Sequence, residues 1–267
     1  MFFTKELLFI FIAILVVCLI GFKKYIWFIS IGYGFSISIV GIMLLILFRN
    51  NLTLPSILGC IVLICYGIRL SGYLLIRELK SKSYNNKMKN EIKDGKNMSI
   101  FVKSMLWISC AILYLLMTSP VIIRFINHDT FDKVYYIGLI IAVLGIIIEG
   151  ISDMQKSKSK KVNPNKICNT GLFKIVRCPN YLGELIIWIG IFISGVTTYN
   201  STVQWIVSII GLIGIIYIMF SGARRLELRQ DRTYNDDKEY IKYSKTTPIL
   251  IPFIPLYSVK KYKWLVG

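Results

Sequence analysis

The residues best equipped for chemistry lie in one stretch, Gly171-Leu-Phe-Lys-Ile-Val-Arg-Cys-Pro-Asn-Tyr-Leu-Gly-Glu184, which closes a cationic loop and opens into the apolar run 185–196. Pro179 fixes φ and lacks an N–H, so it suits the first turn of a helix and not its middle. Asn180 and Glu184 then stand one turn apart on one face, at the mouth of an apolar helix. An amide and a carboxylate at that depth are costly unless something uses them. The chemistry they suit is the binding of ring and sugar hydroxyls.

Other polar side chains interrupt apolar runs in the same way. Tyr66, Arg69, Tyr73 and Arg77 recur at spacings of three, four and four, which puts them on one helical stripe. Glu149 and Asp153 share a face at the end of another run, and Arg224, Arg225 and Glu227 close a later one. Four helices thus bring opposite charges to one level, as a buried cofactor site requires. Singly, each has a plainer explanation. Arg77, Lys103, Lys156 and Arg224 suit interfacial snorkelling, Tyr66 and Tyr73 suit packing, and Arg69 suits an ion pair with Glu149 or Glu184. Glu184, inside an apolar run, is the hardest to explain so. No Gly-x-Gly-x-x-Gly follows a strand and no Walker loop occurs, so a nucleotide here would use neither a Rossmann nor a P-loop architecture.

The elements that must position these residues are membrane helices. The chain has 267 residues, 55% of them hydrophobic, and a mean hydropathy of +0.62. Apolar runs cover 7–22, 25–48, 54–76, 100–123, 134–152, 181–196 and 202–222, near the length that crosses a bilayer. An all-α, seven-helix integral membrane protein is expected, forming one domain over 1–267. The net charge is +18, but the basic residues sit in loops, which argues for lipid headgroups and membrane orientation and against nucleic acid. Most lie after the first, third, fifth and seventh runs, including the loops 77–98 and 153–180 and the tail 223–267. The opposite loops and the start hold Lys5, Arg49, Arg124 and Lys133. That bias predicts an N-terminus outside and a C-terminus in the cytosol. His128 is the only histidine, which argues against histidine metal sites and Ser-His-Asp triads; no metal is expected. Of six cysteines, four fall in apolar runs, and Cys168 and Cys178 form no Cys-x-x-Cys, so neither a disulfide framework nor a zinc site is indicated.

The stretch Gly171–Glu184 resembles the segment shared by the steroid 5-alpha-reductase superfamily and its DUF1295 branch. The resemblance continues in order through Tyr66-Gly-Ile-Arg69 with Arg77, Glu149-Gly-Ile-Ser-Asp153-Met-Gln155-Lys156, Ser221-Gly222 through Glu227, then Tyr240, Tyr243, Thr247 and Ile251-Pro252. It covers about residues 60–257, while residues 1–53 carry no signature. It implies a reductase that binds NADPH from the cytosolic side and passes hydride to an electron-poor carbon–carbon double bond. The substrate implied is lipid-like (steroid, sterol or isoprenoid-type) and enters from a bacterial inner membrane or the endoplasmic reticulum.

By the same resemblance, Asp153, Lys160, Asn180, Glu184 and Arg224 hold the cofactor, and Glu149 stands where an asparagine is familiar. Arg69, Arg77, Arg177, Tyr181, Glu227, Tyr240 and Tyr243 complete the expected cofactor-binding set. Tyr66 is the expected catalytic residue, matching a tyrosine that polarises an enone carbonyl, a role open to a phenol in a low-dielectric pocket. Three departures bear on substrate. The family's Arg-His-Pro-Asn-Tyr reads Arg177-Cys178-Pro179-Asn180-Tyr181, a Gln-Glu pair has no counterpart in the second run, and a histidine near the end of the seventh is absent. Two other functions fit the residues: an S-adenosylmethionine-dependent membrane methyltransferase of the isoprenylcysteine type, and a non-catalytic lipid-binding protein. Asn180, the Leu-Gly-Glu after Tyr181, and Asp153-Met-Gln155 favour the reductase.

Overall fold

The computed structural model describes residues 4–80, 98–128 and 132–266. The cationic loop expected over 77–98 lies outside the described residues except at its two ends. Among the described residues the chain is helical, with no strand. Helix α1 (Lys5–Cys18) starts at Thr4, whose side chain accepts the Leu7 N–H, and continues after Leu19 as a short turn, Ile20–Lys23. A 3-10 turn leads into α2 (Ile31–Leu47). Helices α3 (Leu54–Lys80), α4 (Ile100–Ile126), α5 (Lys133–Val162), α6 (Pro179–Gly195) and α7 (Thr202–Thr233) follow. With α1 and α2 they make seven helices long and apolar enough to cross a membrane. Large side chains such as Phe9, Ile12, Ile61, Ile140 and Ile213 face outward. In water that exposure would be costly, whereas lipid tails solvate it. The protein is therefore an integral, multi-pass membrane protein.

Three helices outrun the apolar runs that announced them. The third, fifth and seventh runs end at 76, 152 and 222, but α3 reaches Lys80, α5 reaches Val162 and α7 reaches Thr233. The added turns are rich in Lys, Arg, Glu and Gln, good helix formers that extend a helix past the hydrocarbon. Most of what reads as the start of a polar tail is thus still α7. A short amphipathic helix, α8 (Lys238–Thr246), follows, capped by Asp237, whose carboxylate accepts the Glu239 and Tyr240 N–H groups.

The chain divides into two compact units, Met1–Leu139 with Ile191–Gly211, and Ile140–Gly190 with Leu212–Gly267. In the first, α2 and α3 touch backbone to backbone, because a Cβ on Gly67 would collide with the Gly34 carbonyl and the Ser38 side chain. A buried polar knot closes this unit: Arg124 donates to the Ser194 carbonyl (2.9 Å) and the Thr197 hydroxyl (2.7 Å). Beside it Asn127 and Gln204 pair through their amides. A buried guanidinium survives only when its donors are satisfied in this way. The Lys24–Glu78 ion pair and a bond from Trp27 Nε1 to Glu78 (2.7 Å) tie the α1–α2 joint to the end of α3.

Candidate functional site

The second unit contains the stretch Gly171–Glu184. Pro179 does open α6, and the first helical bond runs from the Leu182 N–H to the Cys178 carbonyl (3.1 Å). The loop before it is held from three sides. Gly171 takes φ +61°, a conformation that favours glycine, against the Gln155 amide, and Gln155 Oε1 accepts the Leu172 N–H (2.9 Å). The Tyr243 hydroxyl donates to the Phe173 carbonyl (2.6 Å). The N–H groups of Arg177 and Cys178 donate to the carbonyls of Pro248 and Ile249 (2.8 and 2.9 Å). The mouth of α6 is thereby fixed before any ligand arrives.

Helices α5 and α6 then meet at two glycines. A Cβ on Gly145 would lie 2.6 Å from the Ile187 nitrogen, and one on Gly183 would lie 2.8 Å from Glu149. Only hydrogen at both positions allows this approach, and it sets the α5 segment carrying Glu149 against the α6 turn carrying Glu184. Glu149, Asp153 and Glu184 are all buried. Glu184 accepts a hydrogen bond from Trp188 Nε1 (3.1 Å). On the next residues, the Tyr181 ring rests 3.4 Å from where a Cβ on Gly222 of α7 would stand.

Among the described residues, the buried Asn180 Oδ1 and the buried Ser221 Oγ are polar atoms of α6 and α7 that make no hydrogen bond within the chain. Each such group costs about 1–3 kcal/mol, so a buried pair calls for a partner outside the chain. In the sequence Ser221 stands out only through the family resemblance. Its burial came from its place beside Gly222 on the inner face of α7, which a hydroxyl in a long apolar run does not announce.

The remaining expected site residues of this unit hold the loop and the C-terminal segment in place. Arg177 is buried and donates to the carbonyls of Ser244 (3.2 Å) and Tyr257 (3.1 Å), with Glu227 at 3.4 Å. The second Glu227 oxygen accepts the N–H groups of Val259 and Lys260. Tyr240 donates to Asp231 (2.6 Å), and Asp231 also pairs with Lys260 (2.9 Å). Lys160 donates to the Tyr234 hydroxyl (2.8 Å) and to loop carbonyls, while Arg224 donates to the carbonyls of Lys260 and Leu265. Burial pushes the Cys178 thiol up to about 11, with Lys156 and Arg177 pulling the other way, so it stays a neutral thiol. Tyr240 is also raised, by burial first and then by its bond to Asp231.

The first unit contains the other three expected residues. Tyr66 is buried, and its hydroxyl meets that of Tyr33 on α2 at 2.7 Å. Tyr33 in turn packs on Tyr114, with ring centroids 5.1 Å apart. The Arg77 guanidinium lies over the Tyr73 ring at 5.4 Å, and Arg69 is partly buried one turn from Tyr66.

Comparison with known proteins shows what the chain is similar to. The chain is 29% identical over 136 residues to the very-long-chain enoyl-CoA reductase of Dictyostelium discoideum, covering 49% of this chain and 41% of the relative. It is 28% identical over 131 residues to the steroid 5-alpha-reductase DET2 of Gossypium hirsutum, covering 48% and 45%. Against the DET2 of Arabidopsis thaliana it is 28% identical over 123 residues, covering 45% and 42%. The chain thus matches less than half the length of these relatives, all of them reductases by name. No solved structure matches it. The family described as Protein of unknown function (DUF1295) matches residues 17–247, most of the chain. By that match the chain belongs to the DUF1295 family, within the steroid 5-alpha-reductase superfamily that its central motif resembles.

Proposed function

We propose that this protein is a membrane-embedded reductase that uses NADPH to saturate an electron-poor carbon–carbon double bond in a lipid-like substrate. The observation that carries the proposal is the Asn180 carboxamide oxygen, buried without a partner one turn from Glu184 at the prepared mouth of α6. The names of its relatives, an enoyl-CoA reductase and two steroid 5-alpha-reductases, support the reaction class.

The residues present fit such a cofactor. Asn180 Oδ1 accepts from an amide or hydroxyl, Ser221 Oγ either donates or accepts, and the carboxylates of Asp153 and Glu184 accept from ribose hydroxyls. Tyr181 contributes an aromatic face. When bound, NADPH supplies the hydride. The Tyr66 phenol donates a hydrogen bond to the substrate carbonyl, stabilising the enolate that develops as the double bond is reduced. Tyr33, which accepts the hydrogen bond of the Tyr66 hydroxyl at 2.7 Å, holds the phenol in position until a substrate carbonyl replaces it as acceptor. The buried Arg177–Glu227 pair acts at one remove, holding the loop from which α6 starts.

Thermal unfolding of the detergent-purified protein tests the cofactor. NADPH at a hundred times its dissociation constant is expected to add about 2.7 kcal/mol of stability, and S-adenosylmethionine none. Stabilisation by S-adenosylmethionine alone would replace this reading with the methyltransferase.

A further inference from the structure

The C-terminal segment does something that reduction does not require. Having met Glu227 through the N–H groups of Val259 and Lys260, it turns along α7 and does not leave the protein. Arg224 donates to the Lys260 and Leu265 carbonyls at 3.2 and 3.3 Å. Two turns away along α7, the Tyr217 hydroxyl donates to the Trp264 carbonyl (3.0 Å) and accepts the Val266 N–H (3.3 Å). The Tyr217 and Trp264 rings stack, 6.1 Å apart and 25° from parallel. Val259 and Leu265 are buried and pin the segment, while Trp264 is 65% and Val266 73% exposed.

Tyr217 belongs to a membrane span and is itself partly exposed on its outer face. The segment therefore runs from the charged end of α7 onto the apolar face of the same helix. Its side chains are graded in that direction. Lys260, Lys261 and Lys263 come first, and Trp264 and Val266 follow beside Tyr217. Lysines followed by an exposed tryptophan over a tyrosine match the polarity profile of a bilayer interface, with headgroup phosphates first and acyl chains beneath. Asp231 already neutralises Lys260, whereas Lys261 and Lys263 are exposed.

We propose that residues 257–266 form an interfacial anchor that binds anionic phospholipid headgroups through Lys261 and Lys263, with Trp264 seated at the acyl boundary on Tyr217. The anchor is built onto Arg224 and Glu227, so lipid capture also steadies the contacts that hold the Arg177 loop.

The test uses the full-length protein in lipid nanodiscs, with brominated lipids as quenchers. The Trp264 contribution is the difference between wild type and Trp264→Phe. That contribution is expected to be quenched about tenfold more efficiently by brominated phosphatidylglycerol than by brominated phosphatidylcholine. The preference should vanish in Lys261→Gln/Lys263→Gln, which alters only exposed side chains. Equal quenching by both lipids, no Trp264-dependent quenching, or a preference that survives the double substitution would each overturn the proposal. So would loss of the preference on adding inorganic phosphate at constant ionic strength, which would reassign the lysines to free phosphate.

Discussion

The Tyr66 phenol donates to the Tyr33 hydroxyl at 2.7 Å, so a second phenol on another helix holds its orientation. Tyr66→Phe is expected to leave NADPH affinity unchanged and to lower kcat by about a hundredfold, the usual effect of deleting one oxyanion donor. Tyr33→Phe should slow turnover by about tenfold, since it loosens the orientation of the Tyr66 phenol without removing it. Parallel assays of NADPH binding and substrate-dependent NADPH oxidation check both, and unchanged turnover in Tyr66→Phe would remove Tyr66 from the mechanism. Spacing along one helix picked out Tyr66. It could not pick out Tyr33, because a partner on another helix leaves no mark in the period of either. Cys178 is a buried neutral thiol and supplies no comparable donor.

At the scale of elements, the apolar runs located all seven spans, and Pro179 located the start of α6. The far ends of α3, α5 and α7 were hidden because polar helix formers carry them beyond the apolar signal. The docking of the C-terminal segment was hidden more thoroughly. Arg177, Arg224 and Glu227 read as ligand-binding charges; beside the Arg177–Glu227 pair, they meet main-chain groups of Ser244, Tyr257, Val259, Lys260 and Leu265, which any sequence would supply. Arg177→Ala leaves Glu227 buried without its cation, so it should cost about 3–5 kcal/mol of stability. Arg177→Lys should not restore it, because an ammonium lacks the forked donors that reach both carbonyls and the carboxylate. Thermal unfolding of the two variants checks this; a wild-type midpoint in Arg177→Ala would show that the pair holds nothing.

For the whole molecule, charge distribution predicts which way the seven helices face. Lys and Arg crowd the loops after odd-numbered spans, which argues for a cytosolic C-terminus. A reporter that is active only in the cytosol should therefore work when fused after Gly267 and fail when fused before Met1. The reverse pattern would move the mouth of α6 to the other side, away from cytosolic NADPH. The central claim is that Asn180 touches the cofactor, and the most direct measurement is equilibrium NADPH binding to purified wild-type and Asn180→Ala proteins. Wild type should bind, and the variant should insert and fold normally while losing affinity by about tenfold or more, the worth of one buried hydrogen bond. Equal affinity in the two proteins, or no binding by wild type, would contradict the account.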